Sequence, residues 1–465
     1  MKVESQNFIA LADIALADSQ VQQAVRKGTT NAFNNRIKAI YGNGQEHGEK
    51  LRQQAAEAKR RALRNLPDLL EQAEQTLTEN GFTVLWAEDA EEARQHVLRI
   101  AREHEGKRIT KSKSMVTEEI ALNDALIAAG LDVVETDLGE YILQINDEHP
   151  SHIIAPVIHK TKEDVRRIFQ EKIDMPYIEE SQDMVAFVRK KLREDFLSAD
   201  MGITGANFII AETGSLALVM NEGNGRMVTN LRRVHVAVVG IEKVIATLED
   251  YGTLTQILPR SGTGQAMTVY TNIVNGPCHD GGPEHLYVIF LDNGRSRIYA
   301  NEKYAEALAC IRCGACLNAC PVYRSVGGHS YGWVYGGPIG AVLTPLYTGL
   351  ENAKPLPHAS SLCGSCKQVC PVDIDLPRML LDLRYDLVKE KVDNKWQLGL
   401  RGWAMGMQSP LLYGVGAKAA RMGMKIMGDN LPSVLGNWTD YRDFPDFAPK
   451  SFHEMWQDRQ KGKLQ

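Results

Sequence analysis

The hydrophobic and polar positions divide the chain into four stretches. Residues 1–63 are polar and read as an N-terminal helical segment, closing on the basic run KRRALR (59–64), taken as a solvated helix face. From 64 to 298 helix and strand patterns alternate. PDLLEQAEQTLTENG (67–81) has helical spacing with Gly81 as its stop, FTVLWA (82–87) is a short apolar strand, and EDAEEARQHVLRIARE (88–103) is a helix. MVTEEIALNDALIAAG (115–130) reads as one helix ending at Gly130, followed by the strand LDVVETD (131–137). ANFIIA (206–211), SLALVM (215–220), VHVAVVG (234–240), VYTNIV (269–274) and LYVIFLD (286–292) continue as strands, with IEKVIATLEDY (241–251) as a helix between the third and fourth. Strands separated by helices of this length predict a largely parallel sheet covered on both faces, an α/β domain over 64–298.

Strands disappear from 299 to 395. NEKYAEALACIRCG (301–314) reads as a helix running into a cysteine motif, and DLPRMLLDLRYDLVKEKV (375–392) as a long helix after a second one. GGHSYGWVYGGPIGAV between them predicts an ordered loop packed on the cysteine-bearing region. The stretch 396–465 forms a helical tail. Its longest uncharged run, sixteen residues between Arg401 and Lys418, is too short and too polar to span a bilayer, so membrane contact is at most peripheral.

With 465 residues, 44% hydrophobic and 24% charged, the chain has length for two or three domains, each with its own core. A net charge of −5 gives no reason to expect a nucleic-acid partner. The first twenty residues carry Glu4, Asp13 and Asp18 where a signal peptide needs an apolar core, which points to the cytoplasm. Of eight cysteines, seven lie between 310 and 370. In a large chain of this kind such clustering points to metal rather than to a disulfide framework. Cys278, alone in NGPCHDGG, reads as an ordinary thiol.

The seven cysteines form two motifs. CIRCGACLNACP (310–321) is a complete C-x2-C-x2-C-x3-C-P, and SSLCGSCKQVCP (360–371) repeats it with Ser360 where the first cysteine would stand. Such spacing wraps three thiolates around one iron–sulfur cluster and sends the fourth, ahead of its proline, to the neighbouring cluster. Two clusters are therefore expected: a [4Fe–4S] cluster on Cys310, Cys313, Cys316 and Cys370, and a second on Cys320, Cys363 and Cys366. Zinc knuckles are the alternative for C-x2-C pairs, but zinc has no use for two x3-C-P extensions. The second cluster is open between [3Fe–4S], [4Fe–4S] with Ser360, Ser361, His358 or water on the odd iron, and [4Fe–4S] holding substrate there as a Lewis acid. Neither SGTGQ (261–265) nor GITGAN (202–207) is a dinucleotide fingerprint, so no organic redox cofactor is evident.

A three-cysteine cluster beside a four-cysteine one is similar to the iron–sulfur subunits of succinate dehydrogenase and fumarate reductase, which lack the second cysteine of the motif instead of the first. The runs LGEYILQINDEHPSHIIAPVIHKTKEDV (138–165) and TGANFIIAETGSLALVMNEGNGRM (204–227), joined to both motifs, closely resemble the lactate utilization protein B family over nearly the whole chain. That resemblance implies an α/β LUD domain with a sheet like those of CoA transferases and sugar isomerases, followed by an α-helical two-cluster ferredoxin domain. It also implies electron transfer in the oxidation of L-lactate to pyruvate, toward the respiratory chain. The expected partners are a cysteine-rich iron–sulfur protein and a second LUD-domain protein.

Candidate polar residues in the α/β domain are Glu140, His152 and His159 in the first run and Glu212 in the second. Glu212 stands loosely where related CoA transferases place a nucleophilic glutamate; its alternative is a turn cap, and that of the histidines is to satisfy buried carbonyls. Arg226, Arg232 and Arg233 suit a small carboxylate substrate. Two other functions stay open: a hydroxy-acid lyase using the odd iron of the second cluster, and a CoA-transferase-like enzyme with redox-sensing clusters.

Overall fold

A computed structural model describes residues 2–231, 233–278, 280–390, 394–427 and 448–462. The chain packs as two units, Met1–Leu387 and Val388–Gln465. In the first, six parallel strands form one sheet: β1 (Phe82–Ala87), β2 (Arg108–Lys111), β3 (Asp132–Glu135), β4 (Met201–Thr204), β7 (Val234–Gly240) and β10 (His285–Leu291), in the order β1-β10-β7-β4-β2-β3. β7 is buried at every residue, as a central parallel strand must be. Its alternate side chains enter different cores. Val236 and Val238 meet Val97, Ile100 and Leu126 on one face, while Ala237 and Val239 face the core shared with the cysteine region.

The remaining strands do not join that sheet, contrary to the single series predicted. β5 (Phe208–Ile210), β6 (Ser215–Met220), β8 (Val244–Ile245) and β9 (Tyr270–Val274) make a separate four-stranded sheet, ordered β8-β5-β6-β9, with β6 antiparallel to both neighbours. The predicted helix 241–251 is a 3-10 turn, Ile241–Lys243, then β8. A true helix, Leu248–Gly262, starts only where the Thr247 side chain accepts from Asp250 N–H. The predicted helix 115–130 is two, Met115–Glu119 and Leu122–Ala128, broken at Ala121 with φ 48°. The carbonyl of Ile120 freed at the break accepts from Arg94 Nη1 at 2.8 Å.

The N-terminal helices Phe8–Ala17, Ser19–Tyr41 and Gln45–Arg64 are not a solvated appendage. They lie along both the second sheet and the cysteine region and share its apolar core through Val25, Ile40, Leu51 and Ala55. The basic run is consumed in this docking. Lys59 is 1% exposed and donates to Glu242 O at 2.7 Å, Arg60 pairs with Asp373, and Arg61 pairs with Asp250. Asp18 caps the second helix by accepting from Gln20 and Val21 N–H.

From residue 300 the first unit is helical and includes Pro321–Val326, Gly337–Thr348 and, as far as Leu387, the helix Leu376–Lys389. The glycine- and aromatic-rich stretch 327–342 is ordered and deeply buried, with Tyr331 and Tyr335 fully enclosed. The second unit contains the helices Asn394–Met407, Pro410–Met427 and Phe452–Gln460, the last closed by a Ser451–Glu454 capping box. No helix among the described residues is long and apolar enough to cross a membrane.

Candidate metal centre and adjoining cleft

Both cysteine motifs fold as the same turn. Arg312 and Gly314 take φ 58° and 72°; the matching residues of the copy, Leu362 and Gly364, take 54° and 82°. Two successive left-handed positions bracketing a cysteine curl the backbone, so the helix predicted over 301–314 stops as a 3-10 turn at Ala305–Ala309. Short helices, Ala315–Ala319 and Ser365–Gln368, then carry Cys316 and Cys366, and Pro321 and Pro371 follow Cys320 and Cys370. The repeat extends to Ser360. Arg312 N–H donates to Cys310 Sγ at 3.4 Å, and Leu362 N–H donates to Ser360 Oγ at 3.1 Å. The serine thus keeps the turn that the absent cysteine would make.

Cys310, Cys313, Cys316 and Cys370 line one small cavity walled by Ile153, Ile339, Ile374 and Leu376. Burial raises the Cys313 thiol above the usual range, and the neighbouring Cys370 and Cys310 add to this. Cys370 is pushed up by burial to about 11. Cys320, Cys363 and Cys366 are near neighbours in turn: burial and then Cys320 push Cys366 up to about 12. Cys363 is exposed, and its thiol is lowered by a hydrogen bond with Ser365. Among the described residues no three His, Cys, Asp or Glu side chains converge on a single ion position; the first four thiols surround a cavity instead.

The surroundings fit iron–sulfur clusters. Backbone N–H groups point at sulfur, from Arg312 to Cys310 and from Ile374 to Cys370 at 3.4 Å each. Cations reach the same walls: Arg36 donates to Val369 O at 2.7 Å and Arg52 to Cys370 O at 2.9 Å, and Arg312 lines the cavity. Such groups offset the negative charge of thiolate-bound clusters. The fully buried Tyr331 phenol has no hydrogen-bond partner among the described residues and lies near Cys320, Cys316 and Cys366. Nothing in the spacing of the sequence singled it out.

The loop 146–161 joins the α/β part to this region. His152 Nδ1 accepts from Ile154 and Ala155 N–H, so its Nε2–H donates to Asn318 Oδ1 at 3.2 Å. Burial, then Lys113, lowers His152 to about 4, which keeps it neutral. His159 is held by Ser151 Oγ at 2.7 Å and Glu148 at 3.0 Å. Ser151 O accepts from the Tyr323 phenol, and a Cβ on Gly328 would stand 1.7 Å from that carbonyl, so only glycine permits this approach. Glu212 is elsewhere: it is exposed, and its carboxylate accepts from Leu248 N–H at 2.8 Å, as a helix cap. The structure therefore does not bring His152, His159 and Glu212 into one constellation. Glu140 is buried, and burial with Glu135 and Glu118 nearby holds its carboxyl well above the usual range. Arg226 packs over the Tyr270 ring, Arg233 pairs with Glu284, and Arg232 lies outside the described residues.

A cleft of about 380 Å³ opens where β2 and β4 end, the usual ligand position in open α/β sheets. It is lined by Lys113, Asp137, Glu222, Lys243 and Arg312 beside apolar residues such as Ile154 and Met220. Ile153 and Arg312 line both this cleft and the cysteine cavity. Burial, then Asp137, pushes Glu222 up to about 7; burial, then Arg312, lowers Lys243 to about 8. Sequence reading missed these residues because β2 is four residues long with charged ends, and Lys243 hides in an apolar run.

Three family models match in chain order: a LUD domain over residues 70–291, a 4Fe-4S dicluster domain over 306–374, and a lactate utilisation protein B C-terminal domain over 389–461. Lactate utilization protein B from Bacillus thuringiensis (strain Al Hakam) is 41% identical, with 99% of each chain covered. The same figures hold for the proteins of that name from Bacillus cereus (strain AH187) and Bacillus anthracis (strain A0248). A crystal structure of a DUF162 family protein from Deinococcus radiodurans, 15% identical, matches 49% of this chain and 98% of its own with a TM-score of 0.29. On the identity and coverage of the Bacillus proteins, the chain belongs to the lactate utilization protein B family.

Proposed function

We propose that this chain is the electron-carrying iron–sulfur component of a system oxidising L-lactate to pyruvate, acting with a cysteine-rich partner and a second LUD-domain protein. The observation that carries the reading is the grouping of four thiols around one apolar, N–H-lined cavity beside three more. Cys310, Cys313, Cys316 and Cys370 would hold one cluster, and Cys320, Cys363 and Cys366 the other. One-electron transfer is what such clusters supply when bound. Arg36 and Arg52 fix the surrounding backbone, and with Arg312, which lines the cavity, they hold positive charge beside the sulfurs. Ile153, Ile339 and Leu376 keep water from the first group, while the second is open at Cys363.

Iron and sulfide counts with electron paramagnetic resonance on anaerobically purified protein test this. About seven or eight irons per chain, and signals that appear or change on dithionite reduction, are expected. Zinc at two per chain, or clusters that accept no electron, would overturn the reading. The choice between seven and eight decides whether the second group holds three irons or four.

A further inference from the structure

The cleft at the ends of β2 and β4 has the makings of an anion site beside the cysteine cavity, with which it shares Arg312. Lys243 is 6% exposed and lines the cleft, yet has no hydrogen-bond or ion-pair partner among the described residues. Its neighbour Glu242 does not serve, because both carboxylate oxygens are engaged, Oε2 by Arg295 Nε at 2.6 Å and Oε1 by Arg312 at 3.4 Å. Arg312 also lines the cleft, and its Nη1 is buried without an acceptor among the described residues. Lys113 adds a third cation; among the described residues it bonds only the Ile154 carbonyl, at 2.6 Å. Against these stand Asp137, which caps the helix Leu138–Ile145, and Glu222, which accepts from Leu138 N–H. An unpaired buried ammonium is costly unless an anion answers it.

We propose that this cleft binds a small 2-hydroxy or 2-oxo carboxylate, its carboxylate held by Lys243 and Arg312 against the wall shared with the cavity of Cys310 and Cys313. That the ligand is an anion rests on the cations; that it is a hydroxy or oxo acid rests on the lactate reading above. Arg312 then has two duties. It meets the ligand on one side and lies within the cysteine turn on the other, so occupancy of the cleft is felt at the first thiol group. Ile153 is the apolar partition between the two spaces.

Isothermal titration calorimetry of the anaerobic full-length protein tests the proposal, with L-lactate and pyruvate as ligands and neutral lactamide and inorganic phosphate as controls. Lactate or pyruvate is expected to bind, and lactamide not. Lys243→Met is expected to weaken binding about tenfold or more, while Lys243→Arg retains it. Glu222→Gln, which removes an opposing charge, is expected to tighten it. Unchanged iron content in each variant shows that the chain still folds, and the resonance signal of the reduced protein is expected to shift with lactate in the wild type but not in Lys243→Met. No binding by about 10 mM acid, binding indifferent to Lys243, or phosphate binding in place of either acid would overturn the proposal. Loaded, reducible protein that binds no acid sinks this inference and leaves the electron carrier standing. Lys243-dependent binding to protein lacking clusters does the reverse.

Discussion

At the scale of single residues, the cysteines divide into four that line one cavity and three, Cys320, Cys363 and Cys366, that neighbour one another beside it. Cys320 and Cys370 close their own motifs in sequence, but Cys370 lines the cavity of Cys310, Cys313 and Cys316, and Cys320 neighbours Cys363 and Cys366. Cys370→Ala is therefore expected to lose the cluster of the first motif and spare the second signal, and Cys320→Ala to do the opposite; resonance spectra of the two variants check this. Ser360 takes the N–H bond that Cys310 takes in the first turn, so the backbone is already shaped for a cysteine there. Ser360→Cys is expected to fold and to load about eight irons, read by iron analysis beside the wild type. This level was the most legible from sequence, because metal-ligand spacing is a local property. The cations escaped, since nothing in a spacing marks which arginine or lysine loses its water.

Among elements, the loop 146–161 does the work of a joint. It lines the cleft with Ile154 and Ala155, the cysteine cavity with Ile153, and anchors to Asn318 through His152. Glu148 organises its base by accepting from His159 and Lys160. Burial alone would raise the Glu148 carboxyl, but those two hydrogen bonds bring it down to about 2. A folded value below the unfolded one means stability that is complete above about 4.5 and lost as the pH falls toward 2. Glu148→Gln is expected to flatten that part of the pH–stability curve, measured as melting temperature across the window. The elements themselves were read well where periodicity was long, as at Ala90–Glu103 and β7. The reading failed where a two-residue strand such as β8, or the break at Ala121, is fixed by distant partners rather than by local pattern.

Across the whole first unit, the α/β sheet and the cysteine region are tied by a buried ionic chain. Arg295 donates to both oxygens of Glu119 at 2.9 Å and to Glu242 at 2.6 Å, and stacks on Tyr347; Glu242 reaches Arg312, and Tyr335 donates to Glu119. Arg295→Met takes the shared guanidinium from two buried carboxylates and is expected to cost about 3–5 kcal/mol, read by urea unfolding. The sequence showed an α/β part followed by a helical cysteine-bearing part, but not that the N-terminal helices bind them into one body. A polar helix looks the same whether water or Val369 and Cys370 carbonyls receive its arginines. In the proposed function, electrons from lactate reach this chain. The most direct test is to mix the anaerobic, oxidised protein with the cysteine-rich and second LUD-domain partners, add L-lactate, and follow its visible absorption and resonance signals. Reduction that requires both lactate and the partners, in step with pyruvate formation, is the expected result. Pyruvate forming while the clusters of this chain stay oxidised would overturn the electron-carrying role.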